Sequence, residues 1–264
     1  MSDSEQRANI PMKTNLKKIT ILIPCYNEEE GIAHVIEGIP IKRLRHFGFT
    51  TEVVVVDNNS TDETAAVARS LGAIVIHEPK KGKGNAMRTA FKTVSDDTDF
   101  VVMLDGDHTY KAGEIPRLIE PLASDFCDVV VGSRLGGKTM KDSLKFQNRV
   151  VNWGFAFLVR QFYQVNVTDV LSGFFAWKKE AIDVIGPQLC SKGFSVEMEL
   201  ITKTAKLGFS MYSVPITYDV RKGETKISPF RDGIGILATL TKNLMWKPTH
   251  GIKKMESVIV GNEN

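Results

Sequence analysis

Four short apolar runs constrain this chain more than anything else in it. They fall at 19–23, 52–56, 100–104 and 128–131. Each is too short for a typical helix and nearly all apolar, so each reads as a strand covered on both faces. A weaker strand is expected at 73–77. Helical patterns fill the gaps. Ile32, Val35, Ile36 and Ile39 share one helical face. Ser60-Thr61-Asp62-Glu63 has the form of a capping box before AAVARSL, and Gly72 stops that helix. Further helices are expected at 84–94 and 114–122. Strand alternating with helix means an α/β chain with a mostly parallel sheet and right-handed crossovers.

Such sheets place ligands beyond the C-terminal ends of their strands. PCYNEEE, DNNSTD, DGDHTY and GSR follow the four strong strands in turn, so these polar sets are expected on one rim. Two carboxylates two residues apart, Asp105 and Asp107, can converge on a hard divalent cation that also takes phosphate oxygens. Gly106 lets the backbone bend between them. Asp57, Glu28 and Glu29 add acid to the rim, and Lys83, Arg88 and Arg134 add base, a mixture suited to a phosphate-rich ligand. His108 reads as a rim histidine without a ligand role. KKGKGNA lacks the GK[ST] ending of a phosphate loop, no GxGxxG follows the first strand, and no GxSxG elbow occurs.

The second half reads as a long helix over 144–163, then DVLSGFFAW, helices at 179–185 and 195–206, an extended stretch at 209–218, VRKGETK, and a last helix opening at Ser228-Pro229. No linker separates the halves. The expected organisation is a mobile arm over 1–17, one domain over 18–247 and a tail over 248–264. A net charge of +3 gives no ground for nucleic-acid binding. Cys25, Cys127 and Cys190 lack metal or disulfide spacing and are expected to be reduced, buried thiols of a cytosolic protein. No segment approaches the roughly 18 apolar residues of a membrane span. Ile234, Leu237, Thr241, Leu244 and Met245 share one side of the last helix, and Trp153, Phe155, Phe157 and Leu158 mark the long one. Either could lie in a headgroup layer or simply pack on the core.

ILIPCYNEEE, VVVVDNNSTDET, GKGNAMRTAF, VVMLDGDHTY and VVGSR, in that order, resemble the family 2 glycosyltransferases of the GT-A fold. DVLSGFFAW, GFSVEMELITKTAKLGF and VPITYDVRKGETK extend the likeness to about residue 245, closest to the dolichyl- and polyprenyl-phosphate hexose synthases. The resemblance implies a single Rossmann-like, mostly parallel sheet flanked by helices, with a C-terminal acceptor-side extension. It implies a nucleotide-sugar site in which Pro24, Tyr26 and Glu28 line the base pocket, Asp57 and Asn58 contact base or ribose, and Lys83 lies in the nucleotide-side loop. Asp105 and Asp107 would hold the diphosphate and Mg2+ or Mn2+. Arg134, Arg149, Arg221 and Lys226 would meet phosphates, with Asp107, Arg134, Arg221 and Lys226 forming the catalytic set. Asp169, Ser172 and Gly173 would shape the acceptor side, with Glu197 and Glu199 nearby.

Three departures from the family pattern stand out. Asn58 replaces a frequent aspartate. Thr109 stands where a glutamine can join the metal. Asn59 occupies a turn position often held by glycine, which asparagine tolerates. The absence of QxxRW and of spanning helices argues against a processive polymerase. A phosphate acceptor is already anionic and needs cations rather than a general base. The implied activity is inverting transfer of a hexose from a nucleotide-diphosphate sugar, a UDP-sugar being favoured and GDP-mannose possible, to polyprenyl phosphate. The implied location is cytoplasmic, attached peripherally to the inner face of a membrane. Transfer to a soluble or glycan acceptor, and a non-catalytic nucleotide-sugar-binding module, stay open at this point.

Overall fold

The computed structural model describes residues 16–141, 143–222 and 229–248. Among these, seven strands form one sheet in the order β3-β2-β1-β4-β6-β5-β7. β1 (Lys17–Cys25), β2 (Phe49–Asp57), β3 (Ile74–His77) and β4 (Phe100–Met103) run parallel. β6 (Phe175–Lys178) runs against both β4 and β5 (Val129–Thr139). β7 (Met211–Tyr218) closes the sheet parallel to β5.

The continuous apolar runs have a direct structural cause. Side chains alternate between faces along a strand, and here each face meets a core. Leu22, Val54, Val56, Val101, Met103, Val129 and Val131 pack under α4 (Lys83–Lys92), α6 (Phe146–Tyr163), α7 (Lys179–Ile185), α8 (Val196–Lys206) and α9 (Pro229–Met245). Ile19, Ile21, Ile23, Val55, Val102 and Val130 pack under α1 (Glu29–Glu37), α2 (Ile41–His46), α3 (Thr64–Ser70) and α5 (Ile115–Ala123). Fully burying one such side chain stabilises the fold by roughly 1.5–3 kcal/mol.

Several expectations need correction. Ser60 to Glu63 form no capping box, and α3 has no side-chain cap. Those polar groups are recruited across to the loop after β1. Ser60 Oγ accepts from Asn27 N–H at 3.0 Å, Asn27 Oδ1 accepts from Thr61 N–H at 2.8 Å, and Glu29 Oε2 accepts from Glu63 N–H at 3.0 Å. DVLSGFFAW contributes the antiparallel strand β6, and α2 is a short helix that the apolar periodicity does not announce. Cys25 and Cys127 are buried, but Cys190 is exposed. The long helix turns Phe155 and Leu158 towards the core. Its exposed stripe is Phe146, Val150, Trp153 and Phe157. On α9, Leu244 packs against the core, whereas Ile234, Leu237 and Met245 are exposed. Asn59 does adopt the left-handed region, with φ of 63°, and Gly72 does so at the end of α3, with φ of 82°. The 1–15 stretch of the arm and the tail from 249 lie outside the described residues.

Candidate active site

The parallel strands deliver their polar ends to one rim. At its centre is the turn Asp105-Gly106-Asp107 after β4. This turn sits hard against its neighbours. A methyl at Gly31, in the first turn of α1, would fall 2.5 Å from Gly106 O and 2.9 Å from Asp107 Cα. One at Gly106 would fall 2.5 Å from Cys25 Sγ, and one at Gly173 would fall 2.3 Å from Asp105 Oδ2. Glycine at these three positions is a matter of space.

Two rows of alternating charge flank the turn. On one side, Arg221 donates from NH2 to Glu28 Oε1 at 2.7 Å and holds NH1 3.2 Å from Asp107 Oδ2. On the other, Lys83 Nζ lies 2.7 Å from Asp105 Oδ1 and 2.6 Å from Glu197 Oε1. Four carboxylates against two cations leave two formal negative charges, the complement of one divalent cation. Burial and the neighbouring Asp105 push the Asp107 carboxyl up, against the pull of Arg221 and Thr109. Burial alone would lower the Lys83 ammonium, but Asp105 and Glu197 outweigh it and hold it well above its ordinary value. Burial also raises the Glu197 carboxyl, with Lys83 opposing.

Asp107 is fixed by Thr109. Its Oδ1 accepts from the Thr109 N–H at 3.0 Å and from the Thr109 hydroxyl at 2.6 Å. The segment carrying Arg221 is tied to the same turn by backbone bonds. Asp219 N–H donates to Thr109 O at 2.9 Å, and Lys222 N–H donates to Asp107 O at 3.1 Å. His108, between these groups, has φ of 62° and its ring 5.2 Å from that of His34.

Among the residues expected to line a nucleotide, Pro24 lies in β1 opposite Val56. Lys81 Nζ stands 4.7 Å over the Tyr26 ring centroid and 2.9 Å from its hydroxyl. Asp57 Oδ1 accepts from Ser60 N–H at 3.2 Å, and its Oδ2 lies 3.3 Å from His77 Nδ1. The Asn58 amide is already engaged. Its Nδ2 donates to Glu78 O and Lys80 O, and its Oδ1 accepts from Gly82 N–H at 2.6 Å. It therefore pins the loop that leads to Lys83. Arg88, one turn into α4, donates to Asn85 Oδ1.

Arg134 and Asp169 are each other's partners. Arg134 donates from Nε to Asp169 Oδ2 at 2.8 Å and from NH2 to Oδ1 at 2.9 Å, with its backbone N–H also on Oδ2. Asn152 of α6 adds a bond to Oδ1 at 2.6 Å. Asp169 is wholly buried, and the Arg134 guanidinium lies 5.3 Å over the Tyr218 ring. Ser172 Oγ accepts from Phe174 N–H, and Gly173 N–H donates to Tyr110 Oη at 2.7 Å. Glu197 and Glu199 separate in role. Glu197 belongs to the Lys83 row beside Asp105. Glu199 accepts from Cys190 N–H, Ser191 N–H and Lys203 Nζ and so ties down the loop before α8. Arg149 is exposed on α6. With Leu135, Phe146, Val150 and Trp153 it lines an apolar cavity of about 280 Å³. Lys226 lies outside the described residues.

These residues fit a hard divalent ion. Asp105 and Asp107 are the two carboxylates on the glycine-lined turn itself, and no group of three or more His, Cys, Asp or Glu side chains is placed to hold a metal among the described residues. Magnesium and manganese sites are commonly built this way, one or two carboxylates being completed by phosphate and water. Reasoning from sequence missed Tyr110, Asn152 and Lys81. Lys81 had a signal in its basic, glycine-spaced loop. Tyr110 and Asn152 act on partners far away in the chain and had none.

Comparison with known proteins agrees with this geometry. The family model for glycosyl transferase family 2 matches residues 20–186. The glycosyltransferase AglJ of Haloferax volcanii is 36% identical over 220 residues, covering 81% of this chain and 68% of that protein. A dolichyl-phosphate hexose transferase from the same organism is 33% identical over 226 residues, covering 85% of this chain and 92% of its own length. Among solved structures, glucosyl-3-phosphoglycerate synthase from Mycobacterium tuberculosis, bound to Mn2+, uridine diphosphate and glucosyl-3-phosphoglycerate, superposes with a TM-score of 0.66 at 24% identity. The match spans 86% of this chain and 80% of that one. The shared fold is GT-A.

Proposed function

From the premise that the chain belongs to glycosyl transferase family 2 and is a glycosyltransferase, we propose that it moves a hexose from a nucleotide-diphosphate sugar to polyprenyl phosphate, with inversion and with Mg2+ or Mn2+. The observation that carries this reading is the pair of charged rows around Asp105 and Asp107. Their two uncompensated negative charges suit a divalent ion, and Arg221 and Lys83 stand ready for phosphate oxygens. The Arg221 Nε–H is buried without a partner among the described residues, so a donor remains for an anion. When bound, the ion would neutralise charge growing on the departing diphosphate. An oxygen of the acceptor phosphate attacks the anomeric carbon as the bond to the nucleoside diphosphate breaks, and no side chain need remove a proton. Tyr26, Asp57 and Lys81 offer a stacking surface, an acceptor and a donor for the base. We favour a UDP-sugar, with GDP-mannose as the competitor.

The dolichyl-phosphate relative supports the acceptor, as does the surface. The stripe Phe146, Val150, Trp153 and Phe157 on α6, with Arg149 at its cavity, suits an anionic amphiphile. Ile234, Leu237 and Met245 on α9 add exposed apolar area. No helix among the described residues is long and apolar enough to cross a membrane. On the strength of these exposed apolar stripes and the dolichyl-phosphate relative, we propose that the enzyme attaches peripherally at the cytoplasmic face of a membrane. It should float with anionic vesicles at low salt and be released at high salt, because exposed charge contacts are screened. Absence of flotation at every salt concentration would remove the membrane from this account.

The function is tested by supplying UDP- and GDP-sugars with Mn2+, with and without a short polyprenyl phosphate. The expected result is nucleoside diphosphate release that requires lipid, from one donor only. Donor hydrolysis indifferent to lipid would point to a soluble or glycan acceptor. Metal-dependent nucleotide binding without turnover would point to a non-catalytic module.

A further inference from the structure

We propose that Arg221 and the divalent ion exchange at a single oxygen, Asp107 Oδ2, so that arrival of the ion frees Arg221 NH1 for the diphosphate. The inference rests on the functional reading above and concerns how the site is loaded. Asp107 and Asp105 are not equivalent ligands. Asp105 uses only Oδ1 in its ion pair with Lys83. In Asp107, Oδ1 is taken by both the N–H and the hydroxyl of Thr109, at 3.0 and 2.6 Å. With the residue only 3% exposed, Oδ2 is the atom it has left to offer. Arg221 NH1 stands 3.2 Å from that atom.

A guanidinium and a divalent ion cannot both sit at bonding distance on one carboxylate oxygen without strong repulsion in a partly buried site. An ion held at Oδ2 would therefore displace NH1. Arg221 does not leave, because three contacts hold it in place. Its NH2 stays on Glu28 at 2.7 Å. The backbone on either side is bonded to the turn itself, through Asp219 N–H on Thr109 O and Lys222 N–H on Asp107 O. The displaced NH1 joins Nε, which already lacks a partner among the described residues. The guanidinium would then hold two donors without a protein partner beside Asp107, and these are the groups assigned to a diphosphate. Before loading, Arg221 lowers the affinity of the bare ion. After loading, it raises the affinity for the ion and diphosphate together. Ion and nucleotide thereby become coupled, and the coupling must be reciprocal.

Calorimetry on the full chain tests this, with Mn2+ alone as the probe and then with UDP or GDP added. Arg221→Gln should bind Mn2+ about tenfold more tightly than the wild type. Mn2+ should then improve its nucleotide binding several-fold less than it does in the wild type. Lys222→Gln removes the same charge next door without touching Oδ2, and should leave Mn2+ affinity within about twofold. An Arg221→Gln affinity equal to or weaker than wild type overturns the exchange. So does an equal gain in Lys222→Gln, which would reduce the effect to general field. If no protein binds Mn2+ even with UDP or GDP present, the functional reading falls first and this inference with it.

Discussion

Asp107→Asn should lower kcat/KM for nucleotide-sugar turnover by about 1,000-fold at saturating Mn2+, a loss of about 4 kcal/mol of transition-state stabilisation. The amide keeps an oxygen for Thr109, so the turn survives and stability should change by no more than about 1 kcal/mol. What disappears is a charged oxygen at Oδ2 and half of the uncompensated negative charge at the site. Loss of one well-placed electrostatic group at a reacting centre commonly costs two to three orders of magnitude, and here the same change also weakens a metal site. Steady-state kinetics beside Mn2+ calorimetry reads both consequences. Turnover within tenfold of wild type would remove Asp107 from the reaction.

The largest effect on stability is expected at Asp169→Ala, which should cost about 3–5 kcal/mol because it strands the buried Arg134 guanidinium. Arg134 would lose three hydrogen bonds, and Asn152 would lose its own. At roughly 2–4 °C per kcal/mol for a chain of this size, the unfolding midpoint should fall by on the order of 10 °C. A pH signature accompanies the pair. Burial pushes the Asp169 carboxyl up, but Arg134 and Asn152 outweigh it and hold it below its ordinary value. A carboxylate depressed in the folded state contributes stability that is full above the unfolded value of about 3.9 and is lost as pH falls through the folded value. Asp169→Ala should therefore flatten the acid limb of the stability curve. Urea titration between neutral and acid pH checks both statements, and a cost below about 1 kcal/mol would mean that the pair is dispensable.

The strands and the rim acids were legible because each is local. Ile19 to Ile23 and Phe100 to Leu104 announce themselves within five residues, and the acids follow directly. The partnerships were not legible. Arg134 meets Asp169 across 35 positions, and Arg221 meets Glu28 across 193. Nothing in either segment records the other. Arg134 reads as a cation for phosphate, and its buried counter-ion Asp169 is not announced beside it. Glu197 and Glu199 look alike in sequence, yet one faces Lys83 and the other closes a loop. The capping box failed for a related reason: Asn27 and Glu29, more than 30 residues away, made better use of the same polar groups. The strand in FFAW was hidden because four residues cannot declare a direction.

That reversed strand has a consequence for how the molecule comes into being. β4 and β5 do not pair with each other; β6 lies between them and pairs with both, so it joins the β3-β2-β1-β4 part of the sheet to the β5-β7 part. The polar motifs that follow β1, β2, β4 and the start of β5 all precede residue 135, yet residues 175–178 have to be inserted to join β5 to the β3-β2-β1-β4 part of the sheet. During synthesis, the acid turn and the Arg134 end of β5 are made early and brought into register late. The chain is therefore not a complete first half with a second half appended. Its second half is the keystone of its first, and a nascent chain halted before β6 has the vocabulary of a transferase without the surface on which to arrange it.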